Sequence, residues 1–370
     1  GRKWATASSS MLLLTLGSLT CLISLFVSNT AVTAIFLPIG LSMLSVIKRP
    51  EGSRYPIAIM LMLTWGSSVA VGVPVGTPPN LIAMSMIESE AGTKLSFTQW
   101  MQFGMPITVA MVLGSWLVLN AMYGRHKVAT ADARALAQEN LAGMGRVTAA
   151  ERNTMIAFGV AMAMWIVPDL SVAVFGSENV AAAWLQKHVT AAVAALSAAA
   201  LLFLLPAVDE QKFTWREARK IDWGTILLFG GGIALGQAMF GSGLAKELGA
   251  LAAEASGANT LWAITALCIA AAILLSELAS NTAAATTLVP VAIGLANGAG
   301  VSPIAPALGV AIGASFGFML PVSTAPNAIV YSSGLVPSRE MLRSGILIDI
   351  LGFIVTLVGL WLILPMMGLA

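Results

Sequence analysis

The chain has 370 residues, 58% of them hydrophobic and 10% charged, with a formal net charge of +2 and a mean hydropathy of +0.87. That apolar content exceeds what a water-soluble domain carries, and the apolar runs are long enough to cross a bilayer, so the sequence reads as an all-α polytopic membrane protein. The runs lack period-two alternation and outlast a barrel strand, which excludes an outer-membrane barrel; Cys21 and Cys268, both in apolar segments, supply neither a disulfide framework nor a metal site. No cleavable signal segment is seen, and no nucleic-acid partner is expected.

Gly1 is not a natural start and the first apolar run follows almost at once, which predicts an N-terminal truncation. Apolar blocks fall at 8–47, 56–87, 100–122, 153–175, 188–206, 222–241, 259–297, 304–333 and 343–368. If 8–47 enters and leaves on one side, that side receives Arg2, Lys3, Lys48, Arg49 and Arg54, then Arg125, Lys127, Arg134, Arg146 and Arg152, then Lys212, Arg216, Arg219 and Lys220, and finally Arg339 and Arg343. Those are 16 of the 19 Lys and Arg; Lys94, Lys187 and Lys246 remain opposite. The positive-inside rule makes the basic side cytoplasmic and puts the C-terminus outside a cell (inner) membrane.

The tripeptide Ser28-Asn29-Thr30 returns as Ser280-Asn281-Thr282, in SNTAVTAIFLPIGL and SNTAAATTLVPVAIGL, with Pro38 and Pro290 in matching places. Each copy is followed by a second motif, Pro74-Val75-Gly76-Thr77-Pro78-Pro79-Asn80 and Pro321-Val322-Ser323-Thr324-Ala325-Pro326-Asn327. The offset is 252 residues at the tripeptide and 247 at the second motif, so one unit occurs twice. The first half is 1–122, comprising 8–47, a broken helix 56–87 and a helix 100–122; a cytoplasmic linker covers 123–152. The second half, 153–370, holds helices over 153–241, the segment 259–297, a broken helix 304–333 and a last helix 343–368. Charge parity admits either re-entrant hairpins or pairs of full spans at 8–47 and 259–297. A tripeptide at mid-depth would have to line a protein cavity, whereas one at the surface is an ordinary turn.

At the second motif the prolines remove backbone donors and stop a helix, and Asn80 and Asn327 are expected to cap new helices, the first beginning at Leu81. Ordinary proline kinks are the plain alternative, but they leave the paired tripeptides unexplained. Two broken helices in corresponding positions of two halves point to the binding site of a secondary transporter.

These paired motifs resemble those of the divalent anion:sodium symporters, which carry dicarboxylates, citrate or sulfate, and the resemblance covers essentially the whole chain. It implies an inverted-repeat transporter with two re-entrant hairpins and two broken helices, a homodimer in membrane lipid, a transport domain that moves as an elevator, and a set of N-terminal helices upstream of this sequence. It further implies a sodium ion between each tripeptide and its break, the first held by Ser24, Ser28, Asn29 and Gly76 and the second by Ser276, Ala279, Asn281 and Ser323. Gly76 and Ala279 would serve through backbone carbonyls. A small divalent anion, a four-carbon dicarboxylate, would contact Asn29, Thr30, Asn281 and Thr282, with Thr77 and Thr324 nearby.

No Lys or Arg falls in these segments, so neutralisation of a bound anion is expected from helix N-termini and sodium. Ser24 and Ser276 lie one turn before each tripeptide, where a serine also commonly bonds the carbonyl four residues back. Two acids, Glu277 and Asp349, are left inside apolar blocks; Glu277 either tunes an ion site or carries a proton, or it braces the hairpin. Gly230, Gly231, Gly232 and Gly236 are expected to allow close helix packing. His126 and His188 read as loop residues, and no cluster of bases and nucleophiles supports an enzyme. Sulfate or thiosulfate transport, a related antiporter of the ion-transporter superfamily, and a non-transporting fragment are the competing readings.

Overall fold

The structure, a computed structural model, describes residues 9–47, 50–124, 147–207 and 212–369. Most of the expected linker 123–152, including Arg125, His126, Lys127, Arg134 and Arg146, lies outside the described residues, as do Arg2, Lys3, Lys48 and Arg49.

The elements in order are α1 (Ser9–Ser24), α2 (Asn29–Val46), α3 (Tyr55–Ser68), α4 (Pro78–Ala91), α5 (Phe97–Tyr123), α6 (Ala149–Phe175), α7 (Val180–His188), α8 (Ala191–Leu204), α9 (Trp215–Ala218) and α10 (Trp223–Gly241). They continue with α11 (Leu244–Ser256), α12 (Leu261–Leu278), α13 (Asn281–Gly298), α14 (Ile304–Gly313), α15 (Ala325–Ser332) and α16 (Ser338–Ile363). Among the described residues α2, α5, α6, α10, α12 and α16 are long and apolar enough to cross a membrane. Outward faces stay apolar, with Leu196 72% and Leu204 79% exposed, as lipid contact requires and water would not favour.

The chain divides into two compact units. One comprises the described residues of 96–100 and 139–226. Within it the block expected at 188–206 is a pair, α7 and α8, meeting at 75°, because Asn179 and Thr190 each cap a separate helix. His188 is therefore the last residue of α7, against the Trp184 ring, rather than a loop residue. A third acid inside an apolar helix, Asp169 of α6, accepts from the Thr98 hydroxyl and, at 3.4 Å, from its amide.

The other unit comprises the described residues of 1–95, 101–138 and 227–370, and holds both tripeptides and both breaks. Its core is built from α3 and α14, each buried at every residue, which is why both are apolar all round. The packing repeats. α1 lies on α3 as α12 lies on α14, and α2 and α13 each pack on the helix after the other half's break, α15 and α4 respectively. The crossing points recur as well: a Cβ on Gly66 would sit 2.8 Å from Gly17 O, and one on Gly313 would sit 3.0 Å from Ile269 O. Gly66 and Gly313 are 247 apart, and Gly17 and Ile269 are 252 apart, the offsets of the two motifs.

Residues 244–256, which the sequence leaves as a loop around Lys246, form α11 against α13, where Gly249 and Gly294 bring the backbones together. A Cβ on Gly249 would lie 2.5 Å from Leu295 N. In the glycine run of α10, Gly232 abuts Thr286 and Gly236 abuts Met86, while Gly230 and Gly231 meet nothing. Only half of that run serves close packing.

Candidate functional site

Both breaks begin earlier than their prolines. α3 ends at Ser68 and α14 at Gly313, and no α-helix resumes before Thr77 and Thr324, which are extended at φ −151° and −139°; a single 3-10 turn, Pro74–Gly76, interrupts the first break. Pro78 and Ala325 open the next helices, with prolines in the first turn, where no backbone donor is required. The helix caps are thus Thr77 and Thr324, not Asn80 and Asn327 as expected; Thr324 accepts from the Asn327 amide at 3.3 Å. A cap must precede the helix, and both asparagines lie inside it.

Those asparagines hold the unwound backbone instead. The Asn80 amide donates to Val73 O at 2.9 Å and Val71 O at 3.3 Å, and the Asn327 amide donates to Leu320 O at 3.0 Å and Gly317 O at 2.9 Å. In each copy the side chain reaches back seven residues and satisfies carbonyls that the break removes from helical bonding.

The tripeptides lie at the turns between α1 and α2 and between α12 and α13. Ser28 and Ser280 are N-caps, accepting from Ala31 N at 3.3 Å and Ala283 N at 3.2 Å. Ser24 and Ser276 do not bond back along their helices. Each reaches forward across the turn, to Asn29 Oδ1 at 2.7 Å and Asn281 Oδ1 at 2.9 Å, five residues on in both copies.

The second site gathers Ser276, Asn281 and Ser323 around the unwound chain. Ser276 Oγ lies 2.7 Å from Ala314 O, the Asn281 amide is 3.4 Å from Ser315 O, and a Cβ on Gly317 would be 3.3 Å from Ser276 Oγ and 3.4 Å from Ser323 Cβ. Ala279 ends α12 in extended conformation beside this cluster in sequence. The first site brings Gly76 against carbonyls, with a Cβ there 2.5 Å from Ala70 O and 3.3 Å from Leu25 O. Only glycine fits so close an approach. Neutral oxygens dominate both places, a donor set that suits a hard monovalent cation.

Of the anion contacts expected, Asn29, Asn281, Thr282 and Thr324 are half-buried, Thr77 is buried, and Thr30 is exposed. No hydrogen bond among the described residues joins the Asn29-Thr30 pair to the Asn281-Thr282 pair.

Glu277 resolves toward the brace. Its carboxylate accepts from Met319 N at 2.9 Å, Leu320 N at 3.2 Å and the Ser323 hydroxyl, so it pins the second break to the end of α12. The first copy has Leu25 and Gly76 at the corresponding positions and no such lock. A contact that periodicity did not reveal is Thr64, whose hydroxyl donates to Asn327 Oδ1. Nothing in the local sequence marked it.

An all-helical polytopic protein whose two polar turns face two unwound helices is a membrane transporter. The chain belongs to the family described as the sodium:sulfate symporter transmembrane region, which it matches over residues 58–368. It is 30% identical over 94% of its length, and 68% of the relative's, to a sodium-dependent dicarboxylate transporter SdcS of Staphylococcus saprophyticus. It is also 29% identical, over 97% of its length and 70% of the relative's, to SdcS of Staphylococcus aureus strain MRSA252.

Proposed function

We propose that the chain is a sodium-coupled symporter of a divalent anion, with a four-carbon dicarboxylate as its substrate. The observation that carries this reading is the repeated tip geometry, a serine bonded to an asparagine five residues on, set against an unwound helix in both copies. Ser24, Ser28, Asn29 and Gly76 hold one sodium ion, and Ser276, Ala279, Asn281 and Ser323 the other. Asn29, Thr30, Asn281 and Thr282, flanked by Thr77 and Thr324, take the two carboxylates. The positive ends of α2, α4, α13 and α15 supply the partial charges that Lys and Arg do not.

The names of the two Staphylococcus relatives favour dicarboxylate, and the family's description favours sulfate. One structural observation weighs against sulfate: the Ser323 hydroxyl, a candidate for narrowing the cavity around a compact anion, is engaged by Glu277. A molecule with a carboxylate at each end satisfies both Asn/Thr pairs, whereas a monocarboxylate leaves one unpaired at about 1–3 kcal/mol per buried group.

The two tips and two breaks fall in one compact unit, which suits an elevator in which that unit carries the site across the membrane. In this reading the tips are re-entrant hairpins in an inverted repeat, the protein is a homodimer in a cell (inner) membrane, and the basic loops are cytoplasmic with the C-terminus outside. Uptake of labelled succinate into proteoliposomes tests the function. A sodium gradient should drive it, and succinate, fumarate and malate should compete while lactate does not. Stronger competition by sulfate or thiosulfate overturns the substrate; uptake indifferent to sodium overturns the coupling.

A further inference from the structure

The two tip sites leave one buried acid unexplained. Asp349, two turns into the apolar length of α16, is 4% exposed, and neither of its carboxylate oxygens makes a hydrogen bond of ordinary geometry, with the Phe318 amide the backbone donor beside it. It lies against Glu277, also 4% exposed, within side-chain hydrogen-bonding reach and with no donor between the two carboxylates. The approach is enforced by backbone. One turn earlier, a Cβ on Gly345 would lie 2.4 Å from Phe318 O and 2.5 Å from Met319 Cα, so α16 rests directly on the break segment whose amides Glu277 holds.

No positive side chain among the described residues faces this pair. Among the described residues α14 carries no charged residue, α5 none along its length, and α12 only Glu277. The other charges of α16, Arg339, Glu340 and Arg343, stand in its first two turns, where Glu340 is bound by Arg54 and by the Tyr123 hydroxyl. Two carboxylates in contact away from water need a counter-charge between them, either a proton or a metal cation. Glu277 Oε2 is filled by the Leu320 amide and the Ser323 hydroxyl, while Oε1 accepts from the Met319 amide alone and retains a lone pair; Asp349 offers both oxygens.

We propose that Glu277 and Asp349 together bind a further sodium ion, separate from those at the two hairpin tips and buried between α12, α16 and the second break. The inference rests on the sodium-coupled reading above. Its position gives it a function: the ion ties α16 to the backbone that lines the second tip site, so occupancy of the pair shapes the break against which anion and tip sodium bind.

The test is the ratio of radioactive sodium to labelled succinate taken up by the full chain in proteoliposomes, for the wild type and Asp349→Asn. Asparagine keeps the shape and adds an N–H that can bond Glu277 directly. The expected result is a wild-type ratio of three, falling by one in the variant, with the sodium concentration for half-maximal uptake raised several-fold. An unchanged ratio and sodium dependence in Asp349→Asn overturns the proposal, because a proton between the acids is then the counter-charge and the amide replaces it. If the variant does not fold, the wild type alone decides: a ratio of two overturns the pair as a sodium site, and three supports it. Succinate uptake without any sodium requirement sinks the symport reading itself, a result distinct from either.

Discussion

Thr64 of α3 donates to the side-chain oxygen of Asn327 at 2.7 Å across 263 positions of sequence, so the last turns of one half's core helix hold the asparagine that organises the other half's break. The corresponding partner of Asn80 is Ala311, which has no donor, and Asn80 Oδ1 is buried without a partner. The two halves are alike in backbone and unlike in this link.

Thr64→Val keeps the volume and removes the donor, leaving a buried acceptor unpaired at a cost of about 1–3 kcal/mol. The variant should unfold at lower temperature in detergent and bind succinate more weakly, while Thr64→Ser stays close to wild type. Equal thermal stability of Val and wild type would show that the bond contributes nothing.

Asn29→Ala and Asn281→Ala each remove the acceptor that Ser24 or Ser276 binds across a hairpin tip. Either change should abolish sodium-dependent stabilisation of the purified protein and succinate uptake together. Full uptake driven by a pH gradient in sodium-free, lithium-free buffer would refute the sodium coupling on which this expectation rests.

Gly345→Ala places a methyl group 2.4–2.6 Å from the Phe318 and Met319 backbone, which cannot rotate away as a side chain can. Overpacking of this kind costs about 1–3 kcal/mol and should displace the second break, lowering uptake more than tenfold. Gly230→Ala meets nothing within 4 Å and serves as the control expected to match wild type.

In the proposed inverted arrangement the two hairpins open to opposite sides. Single cysteines at Glu51, after the first hairpin, and at Asn297, near the end of α13, are both exposed and should react with an impermeant maleimide from the cytoplasmic and outer faces respectively. Labelling of both from one face would overturn the arrangement.

Hydropathy and the duplicated motifs were enough to read a polytopic transporter built on a repeat, because burial in lipid demands long apolar runs and a helix break demands particular residues wherever it occurs. The same local reasoning misplaced the start of each break and the role of Asn80 and Asn327. Pro78, Pro79 and Pro326 signal that regular structure changes, but a proline marks the beginning of the next helix as readily as the end of the last. The 75° corner between α7 and α8 and the surface helix α11 were also missed, since a short polar cap and a half-apolar turn of helix look like loop in a twenty-residue window.

Composition and motif spacing by themselves determined the class of protein, the number of polar tips and the residue types at each, since those follow from the solvent and from local backbone chemistry. Only the tertiary structure decided which groups meet. Ser24 turns forward to Asn29, Glu277 captures the amides of Met319 and Leu320, Thr64 reaches Asn327, and Asp349 is driven against Glu277 by the bare backbone contact at Gly345. Apart from the serine's, these partners lie from 42 to 263 positions apart or on different helices, and no periodicity encodes them, because they are set by how helices pack and not by how any one of them forms.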